Sequence, residues 1–156
     1  MQLSQLIKKN LIALELKAGN KQEAIEEMTE LISRDKQIKD RGEILQAILN
    51  REKLGTTGIG DGLAIPHART DAAKDIVVAF ARSGKGLDFE ALDNKPVNLF
   101  FMVVGPKEKN DEYLKIMSIL ARLFSKEENR QALLKAATPK EIIKAIAGME
   151  EKGDLR

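Results

Sequence analysis

Two stretches of this chain, Ile76–Ala81 and Val97–Val104, are nearly unbroken apolar runs rich in β-formers. A strand with one wet face alternates apolar and polar residues, so a run without alternation needs cover on both faces. Helical material is available for that cover. Asn20 with Glu23, and Asp40 with Glu43, have the spacing of a capping residue and its partner three positions on. After the first, Ala24, Ile25, Met28, Leu31 and Ile32 repeat at helical period; after the second, Ile44, Leu45, Ile48 and Leu49 do so until about Arg51–Leu54. Leu11–Leu16 predicts a further short strand. Ser83-Gly84-Lys85-Gly86 and Asp93-Asn94-Lys95-Pro96 predict turns. From Asp111 the period is helical again, with Tyr113, Leu114, Met117, Leu120, Ala121 and Phe124 predicted to face inward. Two more helices are predicted over 128–136 and 139–147, the second with Thr138 as cap, Pro139 in its first turn and Glu141 three beyond the cap. The expected fold is therefore a single α/β domain over residues 1–150, a mixed β-sheet flanked by helices on both faces. A polar tail, 151–156, is expected to follow, with fraying from Glu150.

Several function classes are disfavoured by composition. The 26 basic and 24 acidic residues leave a net charge of only +2 and alternate along the chain, unlike a basic stripe for nucleic acid. With no cysteine there is no disulfide, thiol nucleophile or thiolate metal site, and with one histidine any metal site would be nearly all oxygen. No apolar run nears the roughly 20 residues that span a bilayer, and the first residues lack a signal-peptide pattern, so the expected location is the cytoplasm. No cofactor and no metal are expected.

The chemistry concentrates in Leu54-Gly55-Thr56-Thr57-Gly58-Ile59-Gly60-Asp61-Gly62-Leu63-Ala64-Ile65-Pro66-His67-Ala68-Arg69, which holds four of the 11 glycines and the only histidine. The alternating glycines do not have dinucleotide-loop spacing, and Ser83-Gly84-Lys85-Gly86 lacks the upstream glycine of a phosphate loop; turns explain both. His67 is the stronger candidate. Glycines let a backbone run close to another molecule, and proline fixes the approach to the ring, so one imidazole could be presented at an uncluttered surface. If one ring nitrogen is held by a backbone carbonyl, the other is free as a nucleophile. The alternative is a histidine that merely hydrogen-bonds at a strand end. For a phosphoryl electrophile, Arg51 and Arg69 could supply bidentate charge, or they could be ordinary surface side chains. Thr56 and Thr57 could donate hydroxyls to phosphate or cap a turn, and backbone N–H groups bared by the glycines would suit an anion.

Arg51 followed by this Gly-rich Pro-His segment resembles the phosphorylation site of phosphotransferase-system enzyme IIA domains of the fructose/mannitol type, which include nitrogen-regulatory members. Phe89, Asp93, Pro96-Val97 and Glu112-Tyr113-Leu114 extend the likeness over about Leu3 to Ala147. The resemblance implies a phosphocarrier. His67 would take a phosphoryl group at Nε2 from the phosphohistidine of HPr or an HPr-like protein and pass it to the cysteine of a IIB domain. A nitrogen-type member would instead use the phosphorylation state to control binding to transporters or kinases. Arg51 matches the arginine beside the phosphohistidine, and Arg69 a basic position after it. Many members carry a second histidine where this chain has Tyr113, which could support the phosphate site by hydrogen bonding or simply pack its helix.

Overall fold

The computed structural model describes residues 2–154. Among these, six strands form one mixed sheet: β1 (Ile12–Ala13), β2 (Gly58–Gly60), β3 (Leu63–Ala64), β4 (His67–Arg69), β5 (Val77–Leu87) and β6 (Val97–Gly105). The order is β1-β5-β6-β3-β2, with β4 also paired to β6. The two apolar runs lie at the centre as the antiparallel pair β5–β6, in register from Val77↔Val104 to Arg82↔Leu99. Their side chains alternate between two buried layers. Val77, Ala79, Ala81, Phe100, Met102 and Val104 face α2 (Lys21–Ile32) and α3 (Arg41–Lys53). Val78, Phe80, Leu99, Phe101 and Val103 face the other layer, made by α1 (Leu3–Leu6), α4 (Asn110–Leu123), α5 (Glu127–Lys135) and α6 (Pro139–Asp154). Phe101 sits between Phe80 and Phe124, each with its ring centroid 4.9 Å away. Helices thus cover both faces, as the unbroken apolar runs require.

The three capping patterns are realised. Asn20 accepts from the Glu23 N–H at 2.9 Å, Asp40 from that of Glu43 at 3.1 Å, and Thr138 from that of Glu141 at 3.1 Å. Each satisfies a donor that the first helical turn cannot, worth about 1 kcal/mol.

Other expectations are corrected. The strand at Leu11–Leu16 shrinks to Ile12–Ala13, with Leu11 in a 3-10 turn, because the Arg82 side chain takes the Leu14 carbonyl (Nε donating, 2.9 Å) in place of a ladder partner. Ser83–Gly86 is not a turn. β5 continues through it to Leu87, and the register shift between Arg82 and Leu87 absorbs the glycines. On α4 the buried face is Tyr113, Ile116, Ile119, Leu120 and Leu123, while Leu114 and Ala121 point outward. The helix is turned so that the denser Ile116/Ile119/Leu123 stripe meets the sheet. The polar stretch expected to fray is helical to Asp154, and the Glu150 carboxylate accepts from the Leu3 and Ser4 N–H groups at 2.6 and 3.0 Å, joining the two ends of the described chain. Residues 155 and 156 of the expected tail lie outside the described residues. No helix among the described residues is long and apolar enough to cross a membrane.

Candidate functional site

The site forms where the sheet ladder is interrupted. β3 and β4 both run parallel to β6, with Ala64↔Phe100 and His67↔Val103 three residues apart on each strand, so register is kept across a two-residue gap. The gap is Ile65-Pro66. Proline has no N–H to donate, and it holds the residue before it extended. The Pro66 carbonyl still accepts from the Val103 N–H at 3.0 Å, and the Ile65 N–H turns away to the Thr57 carbonyl at 3.0 Å. The Ile65 carbonyl accepts from the imidazole two residues on, with His67 Nδ1 at 2.7 Å.

That contact sets the ring's chemistry. A carbonyl only accepts, so Nδ1 carries the proton and Nε2 keeps a lone pair. Burial, opposed by the Ile65 hydrogen bond, holds the His67 pKa below the usual histidine value, and the Arg51 and Arg69 guanidinium groups lower it further. Glu52 acts in the opposite sense. The ring is therefore neutral at pH 7, with a nucleophilic nitrogen beside two cations.

Three elements build the surroundings, a cleft of about 480 Å³ lined by residues including Arg51, Leu54, His67, Arg69, Tyr113 and Leu114. Arg51 comes from the last turn of α3 and donates from Nη1 to the Gly55 carbonyl at 2.9 Å. Arg69 stands two residues beyond His67 on β4, hence on the same side of the strand. Its Nη1 donates to Asn110 Oδ1 and its guanidinium lies 6.0 Å over the Tyr113 ring. Tyr113 is buried, its ring centroid 6.1 Å from that of His67 with the planes at 55°, and burial pushes its phenol well up. It meets the imidazole through its ring, as a neutral wall. Leu54 and Leu114, 83% and 55% exposed, rim the opening with apolar surface.

His67, Arg51, Arg69 and Tyr113 are thus brought together. Thr56 and Thr57 are not: their hydroxyls have other partners. Thr56 Oγ1 donates to the Phe89 carbonyl (3.1 Å) and accepts from the Gly58 N–H (3.1 Å). Thr57 is buried, and its N–H and hydroxyl both donate to the Glu52 carboxylate. The glycines likewise serve the protein itself and line no part of the cleft. A Cβ on Gly58 would lie 2.9 Å from Ala91 Cα, and Gly62 turns the chain at φ +78°. In place of an exposed anion cradle, this segment is a stapled connection that delivers β3 and β4 to β6.

The sequence reading missed Glu52, Asn110, Leu54 and Leu114. Glu52 is the anchor of the staple: its side chain is 7% exposed, it binds Thr57, and Lys21 Nζ pairs with it at 2.9 Å. The signal was present. A carboxylate in the last turn of a helix opposes the macrodipole and needs a compensating partner. Among the described residues no group of three or more His, Cys, Asp or Glu is placed to hold a metal ion.

The family described as phosphoenolpyruvate-dependent sugar phosphotransferase system, EIIA 2, matches residues 5–149. The fructose-specific EIIA component of Haloferax volcanii is 39% identical over 149 residues, covering 96% of this chain and 97% of that protein. The fructose-specific EIIABC component of Bacillus subtilis is 38% identical over 146 residues; these are 94% of this chain but only 23% of that longer protein. Among solved structures, the nitrogen regulatory protein IIA-Ntr of Neisseria meningitidis superposes with a TM-score of 0.87 at 31% identity, covering 92% of this chain and 98% of that one. The match runs across both sheet faces and through the whole segment that carries His67, and the chain belongs to the EIIA 2 family of the phosphoenolpyruvate-dependent sugar phosphotransferase system.

Proposed function

We propose that this protein is a cytoplasmic phosphocarrier that accepts a phosphoryl group on His67 Nε2 from the phosphohistidine of HPr or an HPr-like donor, then passes it to the cysteine of a IIB domain. The observation that carries this reading is the Ile65 carbonyl on Nδ1, which leaves Nε2 with its lone pair at the cleft. In the first step the donor's P–N bond breaks as a P–N bond to Nε2 forms, and the donor ring leaves with the electron pair. The Nδ1 proton stays in place, so the phosphorylated ring gains positive charge that the Ile65 carbonyl stabilises. Arg51 and Arg69 meet the phosphoryl oxygens, where stabilising charge is most of what such a transfer needs from a protein. In the second step a thiolate attacks phosphorus, the P–N bond breaks and His67 returns to neutral. The apolar rim of Leu54 and Leu114 suits a partner surface that excludes water from a labile phosphoramidate.

Incubation with phosphoenolpyruvate, enzyme I and HPr is expected to place an acid-labile phosphate on the protein, and His67→Ala to abolish it. No labelling of wild type by any of several HPr-type donors counts against the reading.

A second reading is regulatory: the phosphorylation state of His67 controls binding to transporters or kinases. It is favoured by the similarity to IIA-Ntr across 98% of that chain. A phosphate adds close to two negative charges beside exposed leucines, enough to reverse complementarity with a partner. Capture experiments with unphosphorylated protein and with His67→Asp separate the two readings. A partner held by one form alone supports regulation; transfer onto a IIB cysteine supports transport.

A further inference from the structure

The two cleft arginines are held alike, each by a neutral oxygen. Arg51 donates to a backbone carbonyl and Arg69 to the side-chain amide of Asn110. Among the described residues neither forms an ion pair, although the chain carries 24 acidic residues and pairs Lys8, Lys21, Arg41 and Lys109 with carboxylates. Asn110 opens α4, and Tyr113, three residues on, shares its face. Together they fix the Arg69 guanidinium from its edge and its plane, above a ring that itself abuts His67.

We propose that Asn110 is a positioning residue for phosphoryl transfer, a neutral latch that aims Arg69 across Tyr113 at His67 and gives it up to the incoming dianion. The inference rests on the phosphocarrier reading above. A guanidinium tethered to an amide oxygen is ordered beforehand, so less side-chain freedom is lost when phosphate arrives. It is also weakly tethered. An amide oxygen offers the guanidinium an uncharged acceptor, whereas a phosphoryl oxygen or a carboxylate adds the attraction of opposite charge, so a phosphoryl oxygen outcompetes an amide but not, by the same margin, a carboxylate. Neutrality at position 110 is therefore the property that matters.

The test is a cycle of Asn110→Asp and Arg69→Gln, alone and combined, with the rate of phosphoryl acceptance from phosphorylated HPr as readout. Asp at a first-turn position favours the helix dipole, so the variant retains its fold. Asn110→Asp is expected to slow acceptance about fivefold, the equivalent of roughly 1 kcal/mol. Asn110→Ala is expected to slow it only about twofold, the smaller loss of an ordered side chain. In the Arg69→Gln background the effect of Asn110→Asp is expected to vanish. An undiminished effect in that background, or wild-type speed in Asn110→Asp, overturns the latch. The Arg69 Nε–Hε signal in ¹⁵N NMR gives a readout that does not depend on phosphotransfer: it is expected to shift in Asn110→Ala, and an unmoved signal overturns the proposal. If wild type accepts no phosphate, the phosphocarrier reading fails while this signal still reports whether the contact exists.

Discussion

Strand β6 has two different neighbours, and the contrast between them accounts for the geometry of the His67 cleft. On one edge β5 pairs with it without a break from Val77 to Arg82, every side chain sealed between helices except half-buried Arg82. On the other edge β3 and β4 cover it with two short pieces separated by Ile65-Pro66. The continuous edge spends all its backbone groups on the ladder. The broken edge keeps the register but frees one carbonyl, and that carbonyl determines which nitrogen of His67 carries the proton and which keeps a lone pair. A sheet can thus fix one histidine tautomer by omitting a rung, provided something else holds the strand in place. Here the Glu52–Thr57 staple and the Lys21 pairing do so.

The contrast is open to attack from its stable side first. Phe101→Ala removes a ring packed between two others at the centre of the continuous edge, and is expected to cost about 3–5 kcal/mol by denaturant unfolding. Phosphorylation of the fraction that stays folded should be nearly normal. Glu52→Ala acts on the broken edge. It leaves the Thr57 N–H and hydroxyl without their carboxylate and the Lys21 ammonium with only Glu90, at 3.5 Å, for an expected cost of about 2 kcal/mol. Here phosphoryl acceptance should fall beyond what the loss of folded protein explains, because the segment leading into β3 is released. Equal specific activity in the two variants would dissolve the distinction between the edges.

How much of this was legible in the sequence follows the same division. The continuous edge was readable because burial on both faces is written as unbroken apolar residues, and the helices because Asn20, Asp40 and Thr138 are local capping signals. β2, β3 and β4 could not be read: they have two or three residues each, too few for a period, and their pairing with β6 is set by tertiary context. The sequence places Tyr113, Leu114, Met117, Leu120, Ala121 and Phe124 inward on α4; the structure buries Tyr113, Leu120 and Phe124 but exposes Leu114 and Ala121 and buries Ile116 and Ile119 in their place, since a helix with apolar residues around much of its surface leaves its rotation to the sheet it meets. His67 stood out as the single imidazole after proline. Its tautomer, the Asn110 contact of Arg69 and the diversion of both threonines to other partners depend on distances the chain order does not contain.

A smaller effect sharpens the comparison at the missing rung. Pro66→Ala supplies an N–H where the gap had none and frees Ile65 from its extended restraint. The stability change is expected to be under about 1 kcal/mol, mostly from a more flexible unfolded chain. The effect on acceptance is expected to be larger in proportion, because the Ile65 carbonyl is no longer held against Nδ1. A variant with unchanged acceptance rate would mean that the ladder gap alone, without proline, orients the ring.

The smallest expected effect is the pH dependence that this arrangement writes into stability. Burial and the two guanidiniums hold the folded His67 pKa below its ordinary value of 6.5. Below that value the unfolded chain takes up a proton that the folded protein resists, so the unfolded state binds more protons and stability falls as pH falls. The contribution is complete above about pH 7, where both states are neutral. His67 is the only histidine in the chain, the one side-chain type whose ordinary titration falls between about pH 5 and 8, so the window between about pH 7 and 5 is where this group is read. A shallow drop in the urea midpoint across that window is expected for wild type, and its absence in His67→Gln. Because the depression comes partly from Arg51 and Arg69, Arg69→Gln should flatten the slope partway. A slope that survives in His67→Gln would place the titrating group elsewhere and remove the charge environment assigned to the broken edge.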